Sequence, residues 1–301
     1  MAHIHQFTYG AFNPVGAFLL AFLGSFLGLL CTRRARDART RSRRNRWLVI
    51  AAFAIGGGAI WLMHFTAMLG FDVPDSPVRY SIPATLLSFA FAVVTVGIGL
   101  MIVGHGPRSV PKVVAAGTLT GIGVLAMHYT GMEGLHVGGI VHYNGMLVAA
   151  SAVIALVAST VALWFTVSVR GYAPTAGAAG IMAVAVCGMH YTGMAAMSVQ
   201  LRPVTAADLA GLPPLAMIVP ITVLTAATIV GVALAALQAM TEEEFTDGSA
   251  LPRGGVHSES VNAWSLKQAS MAANRRPTAN RPSPRPVPLR SPAGGSGPVG
   301  S

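Results

Sequence analysis

Seven runs of mainly apolar residues, near 12–30, 47–69, 82–103, 113–132, 147–169, 175–194 and 215–237, occupy the first 240 residues of this 301-residue chain. A run of about twenty such residues crosses the hydrocarbon core of a bilayer as an α-helix, because a helix satisfies its backbone hydrogen bonds within one segment. The expected fold class is therefore all-α: a polytopic membrane protein with seven transmembrane helices in a lipid bilayer. Composition agrees, since 53% of residues are hydrophobic and only 10% are charged, too few ionisable groups for the surface of a water-soluble globule.

A net charge of +10 on a soluble protein would point to nucleic acid, but its distribution here points to membrane topology instead. Eight arginines lie between Arg33 and Arg46, directly after the first run. By the positive-inside rule that loop is cytoplasmic, which places the N-terminus outside and the C-terminus in the cytoplasm. Alternation then puts Arg108, Lys112 and Arg170 inside and only Arg79 and Arg202 outside, eleven basic residues against two. No basic residue precedes Arg33, so a cleaved signal peptide is not expected. The expected location is the inner (plasma) membrane, with no nucleic-acid partner.

Within the runs one hexapeptide recurs: Met63-His64-Phe65-Thr66-Ala67-Met68, Met127-His128-Tyr129-Thr130-Gly131-Met132 and Met189-His190-Tyr191-Thr192-Gly193-Met194. The histidines are 64 and then 62 residues apart, and each copy closes an outward-running span. The architecture is thus one N-terminal helix followed by three repeated helical hairpins. Glycines including Gly56-Gly57-Gly58, Gly121 and Gly123 are expected to let helices approach closely in lipid. Residues 1–240 form the membrane domain; 241–301, rich in Pro, Ser, Gly and Arg, read as a disordered cytoplasmic tail with no room for a catalytic output domain.

In each copy the histidine and the second methionine are four positions apart, so a helix stacks them on one face: His64 with Met68, His128 with Met132, His190 with Met194. Three imidazole–thioether pairs at one depth near the outer face form a candidate metal site, with the pairs pointing at one common centre or at two adjacent ones. Imidazole with thioether suits copper, whereas zinc more usually shows cysteine or carboxylate beside histidine. Packing alone, with histidine bonded to threonine or tyrosine across helices, is the structural alternative. Cys31 and Cys187 lie at different depths and are not expected to pair, although Cys187 is three positions before His190. His3, His5, His136 and His142 also map to the outer side, as solvated loop residues or auxiliary ligands. Tyr129 and Tyr191 are candidates to close the site through their hydroxyls. Phe65, which has none, is expected only to pack, and Thr66, Thr130 and Thr192 to bond carbonyls of their own helices.

These repeats of Met-His-Tyr-Thr on alternate helices resemble the MHYT domain of bacterial integral membrane sensors, over about residues 1–240. The resemblance implies an outward-facing copper site built from Met63 and His64, Met127, His128 and Tyr129, and Met189, His190 and Tyr191. It also implies sensing of a diatomic gas, O2, CO or NO. Phe65 departs from the family tyrosine, and the cyclase, phosphodiesterase or kinase domain that many relatives carry is not seen in this sequence.

The spans show no nucleophile with its base, no phosphate loop and no paired acids, so an enzyme is not expected. The expected function is a sensor-like protein that binds a metal and signals to a separate cytoplasmic partner. Two rivals stay open: a copper carrier or permease, and a haem-binding electron-transfer protein with two motif histidines as axial ligands.

Overall fold

The computed structural model describes residues 10–74, 76–202 and 210–249. Helix α1 (Phe12–Asp37) leads into one continuous helical run in three parts: α2 (Arg41–Ala52), a π-helical segment (Phe53–Leu62) and α3 (Met63–Met68). Then follow α4 (Ile82–Gly104), α5 (Val110–Glu133), α6 (Gly145–Ser168), α7 (Tyr172–Ala195) and α8 (Pro214–Ser249). Seven of the helical runs are long and apolar enough to cross a membrane, as the hydropathy pattern demands. Their outer faces expose large apolar side chains such as Leu86, Val153, Ile181 and Val223, the surface that a bilayer solvates.

Local chemistry sets the helix starts. Pro83 and Pro111 occupy first-turn positions of α4 and α5, where a missing N–H costs nothing. The Thr40 hydroxyl accepts from Arg43 N to open α2, and the Asn144 side chain accepts from Met146 N and Leu147 N to open α6.

In chain order the helices read as one N-terminal helix and three hairpins; in space the third hairpin opens. α4 packs between the π segment and α5, and α6 between α5 and α7. The corresponding place between α7 and the π segment is taken by α1, while α8 packs outside against α1 and the π segment. The result is a ring in which three motif-bearing helices alternate with three spacers. α1 fits this place because Ala17, Ala21, Gly24 and Gly28 are all buried small residues along one stripe. Gly56 answers from the π segment: a Cβ there would lie 2.6 Å from the Ala92 carbonyl oxygen of α4. Gly121 does the same on α5, with Leu156 Cα 2.8 Å from an added Cβ, so the expected close approach of glycine-lined helices is observed.

The loops at the motif end depart from expectation, for they are not simple connections. β1 (Val78–Tyr80) pairs antiparallel with β2 (Leu135–Val137), and β3 (Gly139–Tyr143) with β4 (Met197–Leu201). A bridge between Tyr80 and Leu212 ties the third loop back to the first. Each of the three loops is thus hydrogen-bonded to both others. Tyr80, buried at the centre of this cap, donates its hydroxyl to the Met68 carbonyl at 3.1 Å, closing the end of α3.

Helix α8 continues to Ser249, past the boundary expected at Met240. The expected disordered tail otherwise falls on residues 250–301, and the His3 and His5 sites on 1–9, all outside the described residues.

Candidate metal centre

Each motif lies in the last two turns of its helix, so the alternating ring brings three histidines to one level. His64, His128 and His190 are essentially fully buried, and their ligating nitrogens lie within 4.8 Å of one another. His64 Nδ1 is 3.0 Å from His190 Nδ1 and 3.2 Å from His128 Nδ1. The ring planes are nearly perpendicular in every pair, 82° to 89°, with centroids 4.9 to 5.3 Å apart. The rings therefore form a pinwheel with converging Nδ1 atoms. Among the described residues this is the one cluster of three or more His, Cys, Asp or Glu able to hold a metal ion.

Two glycines make the pinwheel possible. A Cβ on Gly131 would lie 2.6 Å from His64 Nε2, and one on Gly193 would lie closer still to His128 Nε2. The fifth residue of each motif thus leaves the space that the preceding motif's imidazole fills. In the first copy that place is held by Ala67, the next smallest residue, itself buried with Met63 against Ala17, Ala21 and Ala183. The hexapeptides carried this signal, a small residue three positions after every histidine, but residue types alone assign it no role.

The triad cannot satisfy itself. A neutral imidazole has one donor and one acceptor nitrogen, so His64 Nδ1 cannot make a full hydrogen bond to both neighbours. The Nε2 atoms of His64 and His128 are buried and have no partner among the described residues. Unpaired buried polar atoms cost roughly 1–3 kcal/mol each. Three nitrogens held tetrahedrally about a metal at about 2.0–2.1 Å lie roughly 3.3 Å apart, close to the spacing seen here. The donor set fits a metal that takes imidazole.

The other expected site residues divide into groups. Met63, Met68, Met127, Met132, Met189 and Met194 are all buried; five belong to the main apolar core and Met63 to a smaller cluster beside α1. The Tyr129 hydroxyl is hydrogen-bonded to Ser151 Oγ of α6 at 2.8 Å, and its ring edge meets His128. The Tyr191 ring packs in the same way on His190. Phe65 packs as expected, its ring centroid 4.7 Å from that of Trp61 at a tilt of 43° and 6.3 Å from that of Tyr80. Thr192 bonds the Gly188 carbonyl as expected, whereas the buried Thr66 hydroxyl finds no partner among the described residues.

The auxiliary candidates stay apart from the triad. His136 is occupied with the Ala210 carbonyl at 2.8 Å, and His142 lies exposed on β3. Cys31 and Cys187 are both free thiols, and Cys187 is not in the cluster.

The sequence matches the profile described as "Bacterial signalling protein N terminal repeat" (MHYT) three times, over residues 57–116, 121–179 and 184–250. It is 35% identical over 233 residues to the bifunctional diguanylate cyclase/cyclic di-GMP phosphodiesterase MucR of Pseudomonas aeruginosa, covering 74% of this chain and 34% of that protein. It is 33% identical to the cyclic di-GMP phosphodiesterase NbdA of the same organism, over 63% of this chain and 24% of that one. The signaling protein YkoW of Bacillus subtilis is 27% identical over 59% of this chain and 23% of its own length. The chain thus spans about a third or less of these relatives. No solved structure matches it.

Proposed function

Because this chain belongs to the MHYT family of bacterial signalling proteins, with three copies of the repeat in a multi-pass membrane fold, we propose that it is a sensor holding copper at the triad. The single observation that carries this reading is the convergence of three buried Nδ1 atoms from three repeats. In the proposal His64, His128 and His190 are the primary ligands, with the motif thioethers available as further soft donors.

Charge favours a monovalent ion. The cluster contains no carboxylate or thiolate, so three neutral ligands must accept the ion's whole charge in a buried site. Born cost grows with the square of charge, which makes a divalent ion about four times as costly to bury as Cu(I). Copper held by His64, His128 and His190 would supply a redox-active centre at which O2, CO or NO could bind. The chain's own residues hold that centre dry: the glycine notches fix the ring positions and the three-loop cap covers the helix ends.

A sensor must link the site to the rest of the molecule through two arrangements with different ligand affinity. The π segment directly before motif 1 supports such a link, because π turns inside helices recur at functional sites and, among the described residues, only this repeat has one. The arginine-rich end is the cytoplasmic one in this reading, and the signal passes there to a separate protein.

Geometry weighs against haem, since the three imidazoles already pack on one another, with centroids 4.9 to 5.3 Å apart and Nδ1 atoms 3.0 and 3.2 Å apart, and leave no slot for a macrocycle between them. A permease would need a ladder of ligands across the membrane, and copper accumulation in cells should be the same with the wild-type protein and His128→Ala. Carbon monoxide added to the reduced, copper-loaded protein should give a C–O stretching band that His128→Ala lacks. A copper-loaded protein with no such band overturns the gas reading.

A further inference from the structure

At the end of the bundle opposite the histidines, α1, α2, α6 and the turn between α4 and α5 surround a cavity of about 160 Å³. Three arginines from three separate elements line it: Arg36 of α1, Arg44 of α2 and Arg108 just before α5. No acidic residue is among the lining. Arg33 and Arg170 add their fields at Arg36, against one nearby carboxylate, Asp37. This is more than the usual basic loop of a membrane protein, whose charges are dispersed in water.

The donors divide into fixed and free. Arg36 gives its two terminal nitrogens to the Thr166 and Val169 carbonyls at the end of α6, both at 2.6 Å, so its charge is held rigidly at the cavity wall. The Thr32 and Thr166 hydroxyls donate to the Leu29 and Leu163 carbonyls, which removes them as donors to a ligand. Arg44 is different: its Nε is buried with no hydrogen-bond partner among the described residues. Arg108 is exposed at the mouth, two residues before α5 begins, where the helix dipole adds partial positive charge.

We propose that this cavity is an anion site for a phosphate group, gripped by Arg44 and Arg108 with Arg36 as the fixed charge behind it. Converging guanidinium groups repel one another, and a bound phosphate relieves that repulsion while satisfying the buried Nε. The planar fork of arginine matches two phosphate oxygens at once. The phosphate can belong to a lipid headgroup or be free in solution, because the cavity lies at the end of the spans. The site is independent of the metal reading and would remain if that reading failed.

The test uses the full chain in neutral detergent with two probes, phosphatidylglycerol retention followed by native mass spectrometry and inorganic phosphate followed by calorimetry. Wild type should bind one of the two at one per chain. R44Q/R108Q should weaken that binding about tenfold or more, and R41Q/R46Q, which removes equal charge from exposed positions, by less than about threefold. Retention of lipid identifies a headgroup site and a phosphate isotherm identifies a soluble ligand. If R44Q/R108Q does not fold, R44K/R108K keeps the charge without the fork and should still lose several-fold. Absence of binding by both probes, equal loss in the two glutamine pairs, or unchanged affinity in the lysine pair overturns the proposal.

Discussion

His64 Nδ1 and His190 Nδ1 lie 3.0 Å apart although the residues are separated by 126 positions and belong to different repeats. The distance follows from the ring of helices: α1 fills the place between α7 and the π segment, and so brings the first and third motifs face to face. Burial of three imidazoles with more ring nitrogens than partners is a cost that helix packing alone would remove by substitution with leucine or alanine. Its presence is the physical reason to assign the triad a ligand.

The glycine notches should be sharply sensitive to one methyl group. Gly193→Ala forces the His128 ring from its place and should cost about 1–3 kcal/mol by overpacking, with loss of metal retention. Gly131→Ala should act in the same direction but less, given its longer 2.6 Å approach. Gly177→Ala on the same α7, where an added Cβ meets nothing within 4 Å, should be neutral or stabilising by up to about 1 kcal/mol. Thermal melting and metal content of the three purified variants check the order.

Tyr129 serves as a test of which aromatic groups belong to the ligand set. Its hydroxyl is hydrogen-bonded to Ser151 at 2.8 Å, and Ser151 Oγ also reaches the Val148 carbonyl. Tyr129→Phe should therefore lower stability by about 1 kcal/mol and leave metal stoichiometry unchanged. A variant that loses the metal would make the hydroxyl a ligand.

How much of this was legible in the sequence depends on what dictates each feature. The seven spans were readable because lipid imposes length and apolarity on every segment that crosses it. That His64, His128 and His190 share one level was readable because one pattern recurs at nearly constant spacing on helices of one direction, whereas their meeting at one centre rather than two depends on the ring order of the helices. The ribbons were not, since strands of three to five residues in loops are stabilised by partners 59 or so residues away, as Val78 is by Val137. The place of α8 was hidden for a related reason: hydropathy identifies a span but not its neighbours. The Gly56-Gly57-Gly58 run pointed to close packing, which occurs, yet gave no sign of the π turn that contains it. Gly131 and Gly193 stood inside the motif, but their role exists only once another repeat's ring lies against them.

The cap should respond to alkaline pH through its tyrosines. Burial raises Tyr80, which is 2% exposed, and partial burial pushes Tyr143, 39% exposed, up to about 12 with Glu133 and Tyr129 adding to the effect, so Tyr80 carries the larger share. Phenol in the unfolded chain loses its proton near pH 10. Between that value and the raised folded value the unfolded state holds fewer protons, so stability falls as pH rises. The melting temperature should drop from pH 9 to pH 11.5 by less in Tyr80→Phe/Tyr143→Phe than in wild type. At pH 7 the double variant should be less stable, by roughly 1–2 kcal/mol for the lost Tyr80 bond to Met68.

The most direct measurement is elemental analysis of the detergent-purified full chain after copper loading and removal of excess metal, in wild type and in His64→Ala/His128→Ala/His190→Ala. The account predicts about one copper per chain in wild type and almost none in the triple variant, with the helical circular dichroism of the two alike. Equal copper in both proteins, or none in either, would contradict it.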